Sequence, residues 1–245
     1  MTEVIFVGTS DAFGAAGRRQ SAIVVRSEAG SLLLDCGATT VTGLEELRVP
    51  RDELDAIVIS HFHGDHFGGI PQLLLACLYV DRRERPLIVA GPAGVEDRVR
   101  GLAHQLGYSL EDRDWSFRLE FRELWAGKPE IVGPARITSF ETHHQADVEP
   151  HGLTVQLAGQ RIVFSGDTGW FDALPSYVAG ADLFVCECTN VDPGFEYHLS
   201  LRELREHLGE LDCGRLVLTH LGQEMADLRG RCEIQTADDG LVLSL

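Results

Sequence analysis

Residues 61–66 read HFHGDH, directly after the apolar run DAIVIS and before FGGIP. Crowding three histidines and an aspartate into six residues is costly, because protonated neighbours repel and neutral rings still need hydrogen-bond partners. A metal ion removes both difficulties by holding the rings neutral and occupying their lone pairs. His61 and His63 stand two apart, so a nearly extended segment turns both rings to one side. Gly64 permits a sharp turn that aims Asp65 and His66 at a second point. Two neighbouring ions fit this spacing better than one. Their shells still lack a histidine, a bridging carboxylate and a final histidine, which the rest of the chain must bring.

A recurring unit offers them. Six short apolar, β-branched runs end in polar or ionisable residues: SLLLD at Asp35, DAIVIS before His61, ARITSFETHH at His143 and His144, QRIVFSGD at Asp167, ADLFVCE at Glu187 and GRLVLTH at His220. Such runs read as strands buried on both faces, and layered α/β proteins build sites at the carboxyl ends of strands. Helices are expected between them. One spans 68–80 with Pro71 near its start. A second spans 92–107, with Val95, Val99, Leu102 and Leu106 as its apolar stripe and Gly107 as a stop. In the third, 200–211, Ser200 and Glu203 stand in capping-box register and Leu201, Leu204, Leu208 and Leu211 form the apolar face. His104 and His207 lie beside these stripes and read as surface or packing residues. The stretches 30–36, 115–125 and 152–164 alternate in the manner of antiparallel strands. The fold class is therefore α/β (α+β), with sheets covered by helices on their outer faces. No linker or low-complexity tract divides the chain, so residues 1–245 read as one domain.

Composition narrows the function classes. With 44% hydrophobic and 24% charged residues over 245 positions, the chain can bury a sizeable core. Its 21 basic and 38 acidic residues leave a net charge of −17, which disfavours non-specific binding to nucleic acid or anionic membranes. No window approaches the roughly 18 apolar residues of a membrane span. The opening MTEVIFVGTSDAFG has too short an apolar run for a signal peptide, and a cytoplasmic location is expected. Cysteines 36, 77, 186, 188, 213 and 232 form no CxxC pair and read as reduced, structural residues. The run DRRERP at 81–86, holding Arg82, Arg83 and Arg85, reads as a solvated surface loop.

HxHxDH at 61–66, a later histidine, the aspartate of SGDTG and the histidine of LVLTH together resemble the metallo-β-lactamase superfamily over nearly the whole chain. GTSDAFG, LLLDCG, HFHGDHFGGIPQLLL and RPLIVAGPAG, in that order, are most similar to its ribonuclease Z-like branch. The resemblance implies a four-layer αββα sandwich with a dinuclear metal site at the sheet edge. By the same resemblance, His61, His63 and a third histidine would serve one ion, Asp65, His66 and His220 the other, and Asp167 would bridge them. The third histidine is His143 or His144; in similar sequences it stands about eight residues before the small residue opening the next strand, and counting back from Gly152 selects His144. CECTN and YHLS stand where the nucleases carry a glutamate and a histidine, which implies Glu187 and His198 as an acid dyad. Trp170 and Phe171, directly after GDTG, belong either at the site mouth or in ordinary packing, and GTSDA reads as a turn after the first strand.

The expected activity is that of a metal-dependent hydrolase, a phosphodiesterase acting on a small ester substrate. Asp65 would orient the nucleophile and His198 would protonate the leaving group. Two divalent ions would be the cofactors, zinc by default, with Mn2+ or Fe2+ also accepted by mixed His/Asp shells. Transfer-RNA 3′-end processing is the disfavoured alternative: residues 94–144 hold only fold elements where the nucleases insert a flexible arm, and ATTVTG replaces an EGTQ-like run. Recruitment of a phosphate would then rest on the metals and local arginines. Thioester or lactone hydrolysis fits the Glu187/His198 pair less well, because a good leaving group needs little protonation. A di-iron redox role would need glutamate where His63 stands. A non-catalytic binding module and a homodimeric assembly complete the range of expectations.

Overall fold

A computed structural model of the chain describes residues 1–111 and 113–245. The first half forms β1 (Glu3–Gly8), β2 (Ala22–Ser27), β3 (Gly30–Leu34), α1 (Thr40–Glu46), β4 (Ala56–Val58), α2 (Gly64–Phe67), α3 (Ile70–Tyr79), β5 (Leu87–Gly91), α4 (Val95–Gln105) and β6 (Leu119–Glu123). The second half forms β7 (Pro129–Val132), β8 (Ala135–Glu141), β9 (His151–Leu157), β10 (Gln160–Phe164), α5 (Leu174–Val178), β11 (Leu183–Glu187), α6 (Leu201–His207), β12 (Leu216–Thr219), α7 (Gln223–Asp227), β13 (Gln235–Thr236) and β14 (Val242–Ser244). One sheet runs β14-β1-β2-β3-β4-β5-β6 and the other β13-β12-β11-β10-β9-β8-β7.

The apolar runs are continuous where the central strands, such as β1, β4 and β11, are buried on both faces. Along β1, Val4 and Phe6 enter the layer between the sheets, whereas Ile5 and Val7 enter the layer beneath the helices. In the second sheet Leu183 and Val185 of β11 point between the sheets, and Phe184 and Cys186 point outward. The outer layer of the first sheet is closed by Leu44 of α1, Leu73, Leu74 and Cys77 of α3 and Val95, Val99 and Ala103 of α4. That of the second is closed by Leu174 of α5, Leu201 and Leu204 of α6 and Met225 of α7. Three apolar layers thus separate helices, sheet, sheet and helices: a four-layer αββα sandwich.

Strand direction decides what meets at one edge. β3 runs parallel to β4, and β10, β11 and β12 run parallel to one another. β8 is antiparallel to β9, which is antiparallel to β10, so β8 and β10 end on the same side. By the same count through β2, β1 ends with β3. The segments following β1, β3, β4, β8, β10, β11 and β12 therefore share an edge.

Several local expectations are corrected. The alternating stretch 115–125 contains β6, which pairs parallel with β5, because α4 carries the chain back across the sheet before β6 begins. Leu106 lies beyond the last turn of α4 and is 47% exposed, and Ala103 takes the buried place. The third helix ends at His207 and continues as a 3-10 turn, leaving Leu208 at the surface. Arg83 is not solvated: its guanidinium is buried and donates to the carbonyls of Leu54 at 2.6 Å, Pro86 and Arg85 at 2.7 Å each, and Asp52 at 3.0 Å. It fastens the segment before β4 to the segment before β5. Cys36, Cys77, Cys186 and Cys188 are buried among apolar side chains, and burial pushes their thiols up, Cys77 to about 11. No helix among the described residues is long and apolar enough to cross a membrane.

Candidate metal centre

Two strand ends in the first sheet begin the site. Asp35 follows β3 with φ of 59°, a left-handed conformation that costs an L-residue roughly 1–3 kcal/mol and persists only when its surroundings hold it. Here the holders are clear. Asp35 Oδ1 accepts from the Ser60 backbone N–H at 2.8 Å, and its Oδ2 accepts from Ser60 Oγ at 2.9 Å and His66 Nδ1 at 2.6 Å. After β4 the chain stays extended through His63, then makes the single helical turn of α2, which carries Asp65 and His66. Gly64 starts that turn in a conformation any residue could adopt, with open space at its Cβ position, so the helix and not glycine's freedom makes the bend.

Downstream strands close the arrangement around two points. At the first, His61 Nε2 and His144 Nε2 lie 3.2 and 3.1 Å from His63 Nδ1. Asp167 Oδ2 lies 3.6 Å from His61 Nε2 and 4.0 Å from His144 Nε2. At the second, Asp65 Oδ2 lies 3.2 Å from both His66 Nε2 and His220 Nε2. The same Asp167 Oδ2 lies 3.3 and 3.5 Å from those two nitrogens. Donors at ~2.0–2.1 Å around a tetrahedral ion are spaced roughly 3.3 Å apart, which is the scale of these separations. His61, His63, His144 and Asp167 could hold one ion; Asp65, His66, Asp167 and His220 could hold another.

The outer ring nitrogens assign the tautomers. His61 Nδ1 donates to Ser60 Oγ at 3.0 Å, His63 Nε2 to Gln145 Oε1 at 2.9 Å and His66 Nδ1 to Asp35. His144 Nδ1 donates to the Tyr197 carbonyl at 2.9 Å and His220 Nδ1 to Thr189 Oγ1 at 2.9 Å. The inner nitrogens of His61, His63 and His144 are left with lone pairs aimed at one another, a repulsive arrangement that a cation resolves. Buried His66 Nε2 and Asp167 Oδ1 have no hydrogen-bond partner. Burial pushes His61 down, and His144 down to about 4, so both present neutral imidazole. Burial works the same way on His66 and His220, but the Asp167 and Asp65 carboxylates outweigh it and raise both, His220 to about 9. Positive charge thus belongs beside those carboxylates, and the donor set fits divalent ions. His143 lies outside both groups; its backbone pairs with Gly169 and its ring stands 5.8 Å from Tyr197.

Glu187, fully buried at the end of β11, is oriented on both oxygens. Oε1 accepts from the Thr168 N–H at 2.9 Å and from His198 Nδ1 at 2.8 Å; Oε2 accepts from the Thr189 N–H at 3.1 Å. With Nδ1 committed, His198 keeps Nε2 for the cavity it lines. Burial alone would lower His198, yet Glu187 raises it above the ordinary histidine range. The segment carrying His198 is fixed by the Ser200–Glu203 capping box of α6 and by Gly169, where a Cβ would stand 1.8 Å from the Glu196 carbonyl oxygen.

The site opens into a cavity of about 540 Å³ lined by His63, Asp65, His144, Asp167 and His220 of the two donor groups, and by Phe13 from the β1–β2 loop with Asp11 and Glu224. That loop, read from sequence as a plain turn, and the Thr189 hydroxyl are the parts sequence reasoning missed. Chain direction after β1 was the signal for the former. No arginine or lysine lines the cavity among the described residues, so local arginines do not supply a phosphate site. Trp170 stacks on His207 at 3.9 Å and Phe171 packs near Tyr177, away from the mouth.

A family model described as "Anti-Pycsar protein Apyc1" matches residues 2–238. The chain is 27% identical to the anti-Pycsar protein Apyc1 of Bacillus phage BSP38, over 92% of this chain and 91% of the relative. It is 26% identical to a ribonuclease Z of Mycobacterium bovis over 90% of this chain and 86% of that one. Among solved structures it resembles the metallo-β-lactamase fold protein YhfI from Bacillus subtilis, with a TM-score of 0.79, 23% identity and full coverage of both chains. The His144 geometry is tested by metal analysis: His144→Ala should lower the metal content per chain, whereas His143→Ala should leave it intact. The reverse pattern would move the ligand to His143.

Proposed function

The chain belongs to the anti-Pycsar Apyc1 family, within the metallo-β-lactamase-fold hydrolases and close to their ribonuclease Z-like members, and from that premise we propose a dinuclear metal-dependent phosphodiesterase of small substrates. The observation that carries the reading is the Glu187–His198 pair beside two donor groups that share Asp167. Zinc suits the His/Asp donor set, and manganese or iron would also be held. Such ions, when bound, act as Lewis acids on a phosphoryl group and lower the pKa of water. The chain's own residues do the rest. Asp65 orients the attacking water, and His198 Nε2 gives its proton to the departing oxygen as the phosphorus–oxygen bond breaks. Glu187, accepting at Nδ1, keeps the imidazolium aimed and stabilised.

An alkoxide leaving group needs that proton; a thiolate or an activated ester does not, which weighs against thioester and lactone hydrolysis. The cavity favours a substrate with a single phosphate. Its wall carries Asp11 and Glu224 and, among the described residues, no arginine or lysine, and the whole chain holds −17. Residues 94–144, residue 112 aside, hold α4, β6, β7 and β8, with no inserted arm to grip a polyanion. A nucleoside cyclic monophosphate meets these conditions: one negative charge, an alkoxide leaving group and a size suited to about 540 Å³.

His198→Ala should retain metal and fold yet lower turnover of an unactivated diester by ~10²–10⁴. The loss should shrink on a nitrophenyl ester, whose leaving group departs without a proton; equal losses on both would make His198 a structural support. A second experiment addresses substrate size. An enzyme neutralising ~6–10 phosphates loses ~10³–10⁵ in affinity between ~50 and ~200 mM salt. Turnover of a cyclic mononucleotide is expected to change little over that range, with weak cleavage of a precursor tRNA throughout. Efficient, salt-sensitive tRNA cleavage would replace this reading with RNA processing.

A further inference from the structure

Glu187, His198 and His220 bring a third set of donor atoms within 4.8 Å of one another. The Thr189 hydroxyl fills the space between them. Its Oγ1 lies 3.1 Å from Glu187 Oε2, 3.4 Å from His198 Nδ1 and 2.9 Å from His220 Nδ1. The main chain of Thr189 has little room to move. Its N–H donates to Glu187 Oε2 at 3.1 Å, and its carbonyl accepts from the Gly222 N–H at 3.1 Å. The approach there is close: a Cβ on Gly222 would stand 2.5 Å from that carbonyl oxygen. The run CECTN thus carries, two residues after its glutamate, a hydroxyl that joins the end of β11 to the histidine following β12.

The tautomers fix the direction of each hydrogen bond. His220 turns Nε2 towards Asp65 and Asp167, so its Nδ1–H donates to Thr189 Oγ1. His198 Nδ1–H goes to Glu187 Oε1, the shorter of its two contacts at 2.8 Å. The one hydroxyl proton then lies between Glu187 Oε2 and the His220 carbonyl, both at 3.1 Å, and the charged carboxylate is the stronger acceptor. A continuous chain results, in which His220 donates to Thr189, Thr189 donates to Glu187, and Glu187 accepts from His198 on its other oxygen. We infer that Thr189 is a positioning residue whose hydroxyl couples the Glu187–His198 pair to the donor group of Asp65, His66, Asp167 and His220. This rests on the dinuclear phosphodiesterase reading and adds a link between its two working parts. Each member of such a chain polarises the next. The carboxylate behind the hydroxyl makes Oγ1 a better acceptor, and His220 Nε2 becomes a more basic ligand. The reverse holds by linkage: a stronger Nδ1–H donation from His220 holds Thr189 in place for Glu187.

The test is a double-variant cycle read by zinc affinity, titrated against a competing chelator. Thr189→Val keeps the shape without the hydroxyl and should weaken one zinc equivalent by roughly 10- to 100-fold, and Thr189→Ser should restore it. Glu187 belongs to neither donor group that shares Asp167, yet Glu187→Gln should weaken the same equivalent by about 5-fold. Once Thr189→Val is present, that effect should shrink to less than about 2-fold. In turnover, Thr189→Val should cost more on an unactivated diester than on a nitrophenyl ester, and Thr189→Ser should narrow the gap. Equal losses from Glu187→Gln in both backgrounds, or zinc affinity unmoved by Thr189→Val, would overturn the coupling. A Thr189→Val loss that Thr189→Ser does not restore would make the residue a packing support and would also overturn it. Turnover of neither ester by the wild-type chain would remove the phosphodiesterase reading alone, because the zinc cycle decides the coupling without substrate.

Discussion

One carboxylate oxygen, Oδ2 of Asp167, lies 3.3 to 4.0 Å from inner nitrogens of His61, His66, His144 and His220. The residue is buried, and burial would push its carboxyl up, yet the surrounding His220 and His66 hold it well below the ordinary range. An ionised carboxylate in such a place must be matched by positive charge. The rest of the edge is arranged around that requirement. Asp35 clamps His66 and Ser60, Ser60 turns His61, Thr189 turns His220, Gln145 turns His63 and the Tyr197 carbonyl turns His144. Five rings aimed inward by five different acceptors leave the charge balance to whatever occupies the centre.

The sandwich explains how such distant residues meet. Its central strands are buried on both faces, so their interiors carry only packing, and their carboxyl ends deliver the polar side chains. Asp35 and His220 both adopt left-handed φ at those ends, 59° and 54°, and both are held there by hydrogen bonds within the site. Local strain at two strand ends is offset by the cores beneath them.

Much of this was legible in the chain. Runs such as QRIVFSGD and GRLVLTH announce a buried strand and its terminal ligand candidate within eight residues, because strand burial and site placement are both local signals. The Ser200–Glu203 capping box was equally plain and is present on both of its arms. What was hidden depends on distant partners. Arg83 sits in a run that reads as solvated, and the carbonyls of Asp52 and Leu54, some thirty positions away, help make its burial sustainable. Phe13 belongs to the cavity only because β1 runs parallel to β3 through the antiparallel β2, a matter of pairing and not of periodicity. The direction of β6 was obscured likewise, since a half-buried edge strand alternates whether its neighbour runs with it or against it.

The Asp167 carboxylate shared by both donor groups is the most direct point of test. Metal content per chain, measured on protein purified with divalent ions and again after Asp167→Ala, tests it without reference to any substrate. About two equivalents are expected for the wild-type chain, with both lost or greatly weakened in the variant while the fold persists, since each donor group would lose its charged member. Retention of full metal content by Asp167→Ala, or a single equivalent in the wild-type protein, would contradict a centre built on that residue.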